Sequence, residues 1–244
     1  MMAILNLLYA DHIDITDKIS VSIPTVGEIL DNENDYYTFL SMLTAMPIDY
    51  MVMLDELGLD FSEVSEYELF LILFPYIQGE YTKGSVGSRL LFRDLDISKF
   101  RIAADEQDGS FALVDTTNDI VIDRTVQMKI ASAFRKIHGI KKDVRKPANK
   151  EARDYMLEIA RRKAKRAATR KEKSQLEMSI VALVNSSEFK YDFKSVRELT
   201  IYQFNESLRQ VIKRVDYDKY MFGVYSGTIS AKDMSKEDLN WLCH

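Results

Sequence analysis

Hydrophobic and polar residues alternate with a period of two at the start of the chain. In "DHIDITDKISVSI", His12, Asp14, Ser20 and Ser22 fall on one side, and Ile13, Ile15, Ile19, Val21 and Ile23 on the other. This is the pattern of a half-buried β-hairpin, with Thr16 and Asp17 at its turn and Pro24 ending the second strand. From Asp35 to Ile77 the period lengthens to that of a helix. Tyr36, Phe39, Leu40, Leu43 and Met46 form one stripe, and Pro47 stands at the first position of a second helix, "PIDYMVMLDEL", that stops at Gly58. Ser62 or Ser65 can cap a third helix, with Glu68 three residues after Ser65 completing a capping box; this helix carries the apolar run "LFLILFPYI" and is expected to be buried.

The glycine spacing of "QGEYTKGSVGS" predicts a loop. Beyond it "RLLFRDL", "KFRIAAD" and "SFALVD" read as short strands of an antiparallel meander between Arg89 and Ile122, with "EQDG" and "TTND" as turns. Asp123 caps a helix in which Val126, Ile130, Ala133, Phe134 and Ile137 share a face and Gly139 ends it. Pro147 opens a further helix, whose small and apolar residues Ala152, Tyr155, Met156, Ile159, Ala160, Ala164, Ala167 and Ala168 follow the helical period. Its stripe loses large side chains after Ile159, so its second half can bury little area and is expected to be exposed. From Ser174 the pattern is helical through "QLEMSIVALVNSS" and on to "MFGVYSG", with a tail that docks Leu239, Trp241 and Leu242 on the body. The expected class is α+β, mostly helical, with the N-terminal hairpin and a small central meander. The expected organisation is an acidic N-terminal domain over 1–140, a basic helical connector over 141–173 and a C-terminal helical region over 174–244.

Charge sharpens that division. The net charge of the 244 residues is -5, yet residues 141–173 hold 14 Lys and Arg against 5 Asp and Glu, whereas residues 1–100 hold 5 against 17. The basic face of the connector presents Arg153, Arg161, Arg162, Lys165, Arg166, Arg170 and Lys173, which are the candidate partner-binding residues. Three readings of that face stay open: a solvated linker, a nucleic-acid contact, and a contact with an acidic protein, another copy of this chain included. Tyr155 is the aromatic residue close to it, whereas single-strand readers add several aromatic platforms, and a pI of 5.4 lies below that of dedicated nucleic-acid domains.

Composition narrows the rest. With 46% hydrophobic residues the chain can bury a core, and a lone cysteine, Cys243, fits a reducing compartment without a disulfide framework. The opening "MMAILNLLYADHIDITDK" lacks a basic n-region and a small-residue cleavage site, and "LFLILFPYI" is far shorter than the roughly 20 residues of a span, so no membrane association and a cytoplasmic location are expected.

Fragments that invite a catalytic or ligand-binding reading fail on their spacing. "GEYTKGS" has two glycines but Ser85 where a phosphate-binding loop needs lysine, and "DNENDYY" puts Tyr37 and Met42 where a calcium loop needs glycine and a carboxylate. His12, His138 and His244 stand apart, with His138 read as a helix-terminal cation, so no metal, cofactor or catalytic residue is expected. Asp105 with Asp108, or Asp216 with Asp218, would have to be brought together by folding to make a carboxylate site.

Two stretches carry a family likeness. "KISVSIPTVGEILDNENDYYTFLSMLTAMPIDYMVMLDELGLDFSEVSEYELFLILF" and "YDKYMFGVYSGTISAKDMSKEDLNWL" resemble small virion-assembly proteins of tailed bacteriophages, most of all tail assembly chaperones, and span about a third of the chain. The resemblance implies a non-enzymatic protein that binds tape-measure or tail-tube protein, and brings no catalytic residues with it. Tyr50, Met51 and Met53 would then offer adaptable apolar surface to a client helix. The meander and the basic helix depart from a minimal helical chaperone, which leaves a structural tail component as an alternative.

Overall fold

The computed structural model describes residues 7–92, 94–104, 109–169, 174–230, 232, 234–235 and 239–242. A hairpin of β1 (His12–Asp14) and β2 (Ser20–Ser22) comes first, then α1 (Val26–Leu30), α2 (Glu33–Leu43), α3 (Met51–Glu56), α4 (Glu66–Thr82) and α5 (Val86–Leu91). A three-stranded antiparallel sheet follows, β3 (Arg101–Ala104), β4 (Phe111–Asp115) and β5 (Ile120–Ile122), in the order β3-β4-β5. The chain ends in α6 (Arg124–His138), α7 (Lys150–Ala168), α8 (Gln175–Val184) and α9 (Ile201–Tyr225). The fold is α+β, as its pattern predicts, with the N-terminal hairpin where expected and an antiparallel sheet in the middle; β3 and β4 fall in predicted strands, while the third strand is β5 and not "RLLFRDL".

Local chemistry accounts for the boundaries. Ser65 Oγ accepts from Glu68 N–H while Glu68 Oε2 accepts from Ser65 N–H, so the expected capping box starts α4. Asp123 caps α6, and Gly139, at φ 65°, closes it in the left-handed region that glycine enters without penalty. Pro47 opens a 3-10 turn that leads into α3 instead of a continuous helix.

Two corrections concern residues 78–95. The predicted loop is helical almost throughout, since α4 runs on past Pro75 and Gly79 to Thr82, and residues 89–91 of "RLLFRDL" lie in α5 instead of a strand. For α5 the cause is a close crossing on α2: a Cβ at Gly87 would lie 2.5 Å from the Tyr36 nitrogen, so only glycine lets the two backbones approach. This crossing sinks Leu91 and Phe92 into the core.

Tertiary ties run across the whole chain. The Tyr67 hydroxyl on α4 lies 2.9 Å from the Phe111 carbonyl and 3.0 Å from that of Ile122 and shares its one proton between them, holding the sheet, while Leu113 and Ile122 face the core. Val26 N–H donates to Leu199 O and Ile201 N–H to Pro24 O, both at 2.8 Å, so the start of α9 is stitched to α1. Val196, Ile201 and Phe204 accordingly share one core with the N-terminal helices.

Candidate partner-binding surface

The basic helix begins later than its sequence predicts. Pro147 lies in an irregular connector, and α7 starts at Lys150, where the Asn149 side chain accepts from Ala152 N–H at 2.8 Å and satisfies one of the orphan donors. The connector is itself anchored, with Lys142 Nζ 2.8 Å from Glu66 Oε2.

The predicted stripe is also rotated. Leu157, 4% exposed, is the buried residue of α7 among the described residues, with Met156 and Ala160 half-buried beside it and Tyr155 64% exposed. Arg153 belongs to this docking face, three and four residues ahead of Met156 and Leu157, instead of the opposite side. The helix packs on α3. Arg153 Nη1 lies 2.5 Å from Asp60 Oδ2, in a pair whose side chains are about three-quarters buried, and Arg161 Nη2 lies 2.5 Å from Asp55 Oδ2 at the more exposed end. Hydrogen bonds from the Ser62 N–H and hydroxyl and from Arg153 hold the Asp60 carboxyl down to about 2, so it stays ionised at any physiological pH.

Past that contact α7 leaves the body. Residues 161–167 are exposed, Arg162 pairs within the helix with Glu158 at 2.5 Å, and Lys163, Lys165 and Arg166 extend the positive face. The structure therefore divides the predicted residues: Arg153 and Arg161 bind acids of the body, Arg162 binds its own helix, and Lys165 and Arg166 face solvent. Arg170 and Lys173 lie outside the described residues. Lys163 belongs with this set, and its place between Arg162 and Lys165 was a signal the helical period alone did not use.

Other candidates separate. Asp216 and Asp218 are exposed on α9, Asp218 facing Arg214 at 3.2 Å, while Asp105, Asp108, Cys243 and His244 lie outside the described residues. Among the described residues no three His, Cys, Asp or Glu side chains gather to hold a metal ion. His138 corrects the reading of a helix-end cation: its Nε2 is hydrogen-bonded with the Tyr36 hydroxyl at 2.8 Å, and burial pushes the imidazole down to about 3, so it is neutral. Tyr50, Met51 and Met53 are half-buried against the core.

Arg135 was not legible as a site. It is 5% exposed on the inner face of α6, where Nη2 lies 2.6 Å from Glu66 Oε1 and donates to Thr44 O at 2.7 Å. A cavity of about 20 Å³ among Leu43, Phe74, Phe100, Ile130 and Gln127 is of a size for water, not for a larger ligand. An open groove of about 580 Å³ runs beside α9 between Tyr9, Tyr191, Gln203 and Val211. The tail lies along the next stretch of the helix, with Trp241 O accepting from Gln210 Nε2 and the Arg214 guanidinium 5.2 Å from the indole. Trp241 is thus docked as expected, though it and Leu239 and Leu242 stay more than two-fifths exposed.

Residues 168–244 match the family described as YomV second domain, a phage-associated family. The match supports a phage protein. It begins at the last residue of α7 and takes in α8, α9 and the tail, so the exposed basic half-helix leads directly into the matched region. No curated protein and no solved structure matches the chain. Among the described residues no single helix is long and apolar enough to cross a membrane.

Proposed function

We propose that this chain is a non-enzymatic phage virion-assembly protein that works by binding other proteins, with the basic face of α7 engaging an acidic partner. One observation carries the reading. From Ile159 to Thr169 the helix presents Arg161, Arg162, Lys163, Lys165 and Arg166 with no acidic residue among them, and between them only alanine. Arg161 and Arg162 are already paired, on Asp55 and Glu158, but Lys163, Lys165 and Arg166 stand on a surface that buries almost no apolar area, which supports a contact outside the fold. The phage-associated match that starts at its end, and the likeness of the N-terminal helices to tail assembly chaperones, support a role as a tail assembly chaperone or tail-associated structural protein. Tape-measure or tail-tube protein is then the partner, with self-association through the acidic N-terminal half as a second protein contact, and the host cytoplasm the place of action.

The test is affinity capture from cells producing phage, with and without nuclease, using the intact chain and a variant with Arg161, Arg162, Lys165 and Arg166 changed to Glu. Nuclease-resistant recovery of tail proteins that the variant loses, at an unchanged thermal midpoint, is the expected result. Recovery that nuclease abolishes assigns the surface to nucleic acid and overturns the proposal.

A further inference from the structure

Arg153 and Arg161 cannot serve a partner and the body at once. Both sit on the helix assigned above to partner binding, and both are engaged, on Asp60 and Asp55, each at 2.5 Å. The body thereby offers these arginines the same chemistry that an acidic partner would offer. Leu157, between them on the same face, completes the contact with α3.

The helix is suited to leaving. Residues 140–149 ahead of it form neither helix nor strand, and Lys142 on Glu66 keeps the connector attached. Alanine, arginine and lysine dominate α7 and favour the helix without tertiary support, and its Asn149 cap is its own. The Arg161–Asp55 pair is half exposed, a setting in which an ion pair holds weakly and opens readily.

We infer that docked α7 is the closed state of an electrostatic latch: Asp55 and Asp60 compete with an acidic protein partner for Arg153 and Arg161, and the partner captures α7 released from α3. The inference rests on the partner-binding reading. It fixes a sign. A binder whose competent form is a minor population has its affinity reduced by that fraction, so weakening the latch strengthens capture.

The test is fluorescence anisotropy of the full chain with a labelled polyglutamate peptide of about 20 residues, a length that spans the helix. Asp55→Asn/Asp60→Asn breaks the ionic contact, and Leu157→Ala breaks the apolar one with no change in charge. Asp17→Asn/Asp216→Asn removes the same charge from exposed positions elsewhere. Both latch variants are expected to bind about tenfold tighter than the wild type, the control pair less than about twofold, with faster amide hydrogen exchange at residues 150–160 in the latch variants. Unchanged affinity alongside faster exchange overturns the latch and leaves partner binding intact. No binding by any variant overturns the partner-binding reading and the latch with it. Binding of single-stranded DNA of matching length, with polyglutamate silent, overturns the acidic-protein assignment.

Discussion

Arg135 and Glu66 form a buried ion pair, Nη2 to Oε1 at 2.6 Å, that joins α6 to the first turn of α4. The same Nη2 donates to Thr44 O just past the end of α2, and Glu66 Oε2 takes Lys142 from the connector, so four segments meet at one carboxylate and one guanidinium. Arg135 Nε and Nη1 and Glu66 Oε1 find no hydrogen-bond partner among the described residues, so charge attraction and not an aligned hydrogen bond holds the two together, and the pair is costly to leave half-made. Glu66→Gln should therefore destabilise the fold by about 3–5 kcal/mol in urea unfolding, and Arg135→Leu/Glu66→Leu by distinctly less, because it leaves no unpaired charge. Equal losses in the two would refute this account of the pair.

The neutral imidazole of His138 sets an acid limit. Its folded value, about 3, is depressed from 6.5, so the unfolded chain binds the extra proton first. Stability from this group is complete above about 6.5 and is lost as pH falls toward 3. His138→Gln keeps a hydrogen-bonding side chain for the Tyr36 hydroxyl but cannot titrate. Its thermal midpoint should fall less than that of the wild type between pH 7 and pH 5, and parallel curves would contradict the assignment.

Gly87→Ala should cost about 1–3 kcal/mol, as an added Cβ at 2.5 Å from the Tyr36 nitrogen forces α5 away from α2. Gly79→Ala, where a Cβ would meet nothing within 4 Å, is the comparison: it should be neutral or mildly stabilising. Differential scanning calorimetry of the two separates a packing requirement from a general sensitivity to glycine replacement.

The parts of the fold legible in the sequence are those where local rules decide. The Ser65 and Glu68 capping box, the Asp123 cap and the Gly139 terminus are set by neighbouring residues, and each stands where the pattern puts it. Residues 86–92 failed because α5 is only six residues long, too short for its period to separate from a strand's, and its helical state depends on the Gly87 crossing with α2. The basic character of α7 was plain from composition, but its rotation was not. Periodicity grouped Tyr155 with the apolar stripe and set Arg153 opposite, whereas Asp60 draws Arg153 onto the docking face and Tyr155 turns to solvent. Arg135 lay hidden for a related reason, since a charged residue enters the interior only when its partner, here 69 positions away, is known.

The central claim is that α7 contacts an acidic protein during phage production, and a photocrosslinker placed on that helix tests it most directly. Tyr155 is 64% exposed, so p-benzoylphenylalanine in its place should leave the buried Leu157 undisturbed. Irradiation of phage-producing cells should yield a discrete, nuclease-resistant adduct with a phage-encoded protein whose crosslinked peptide is acidic, and charge reversal of Arg161, Arg162, Lys165 and Arg166 should abolish it. An adduct that dissolves under nuclease, or one that persists through the charge reversal, would contradict the account.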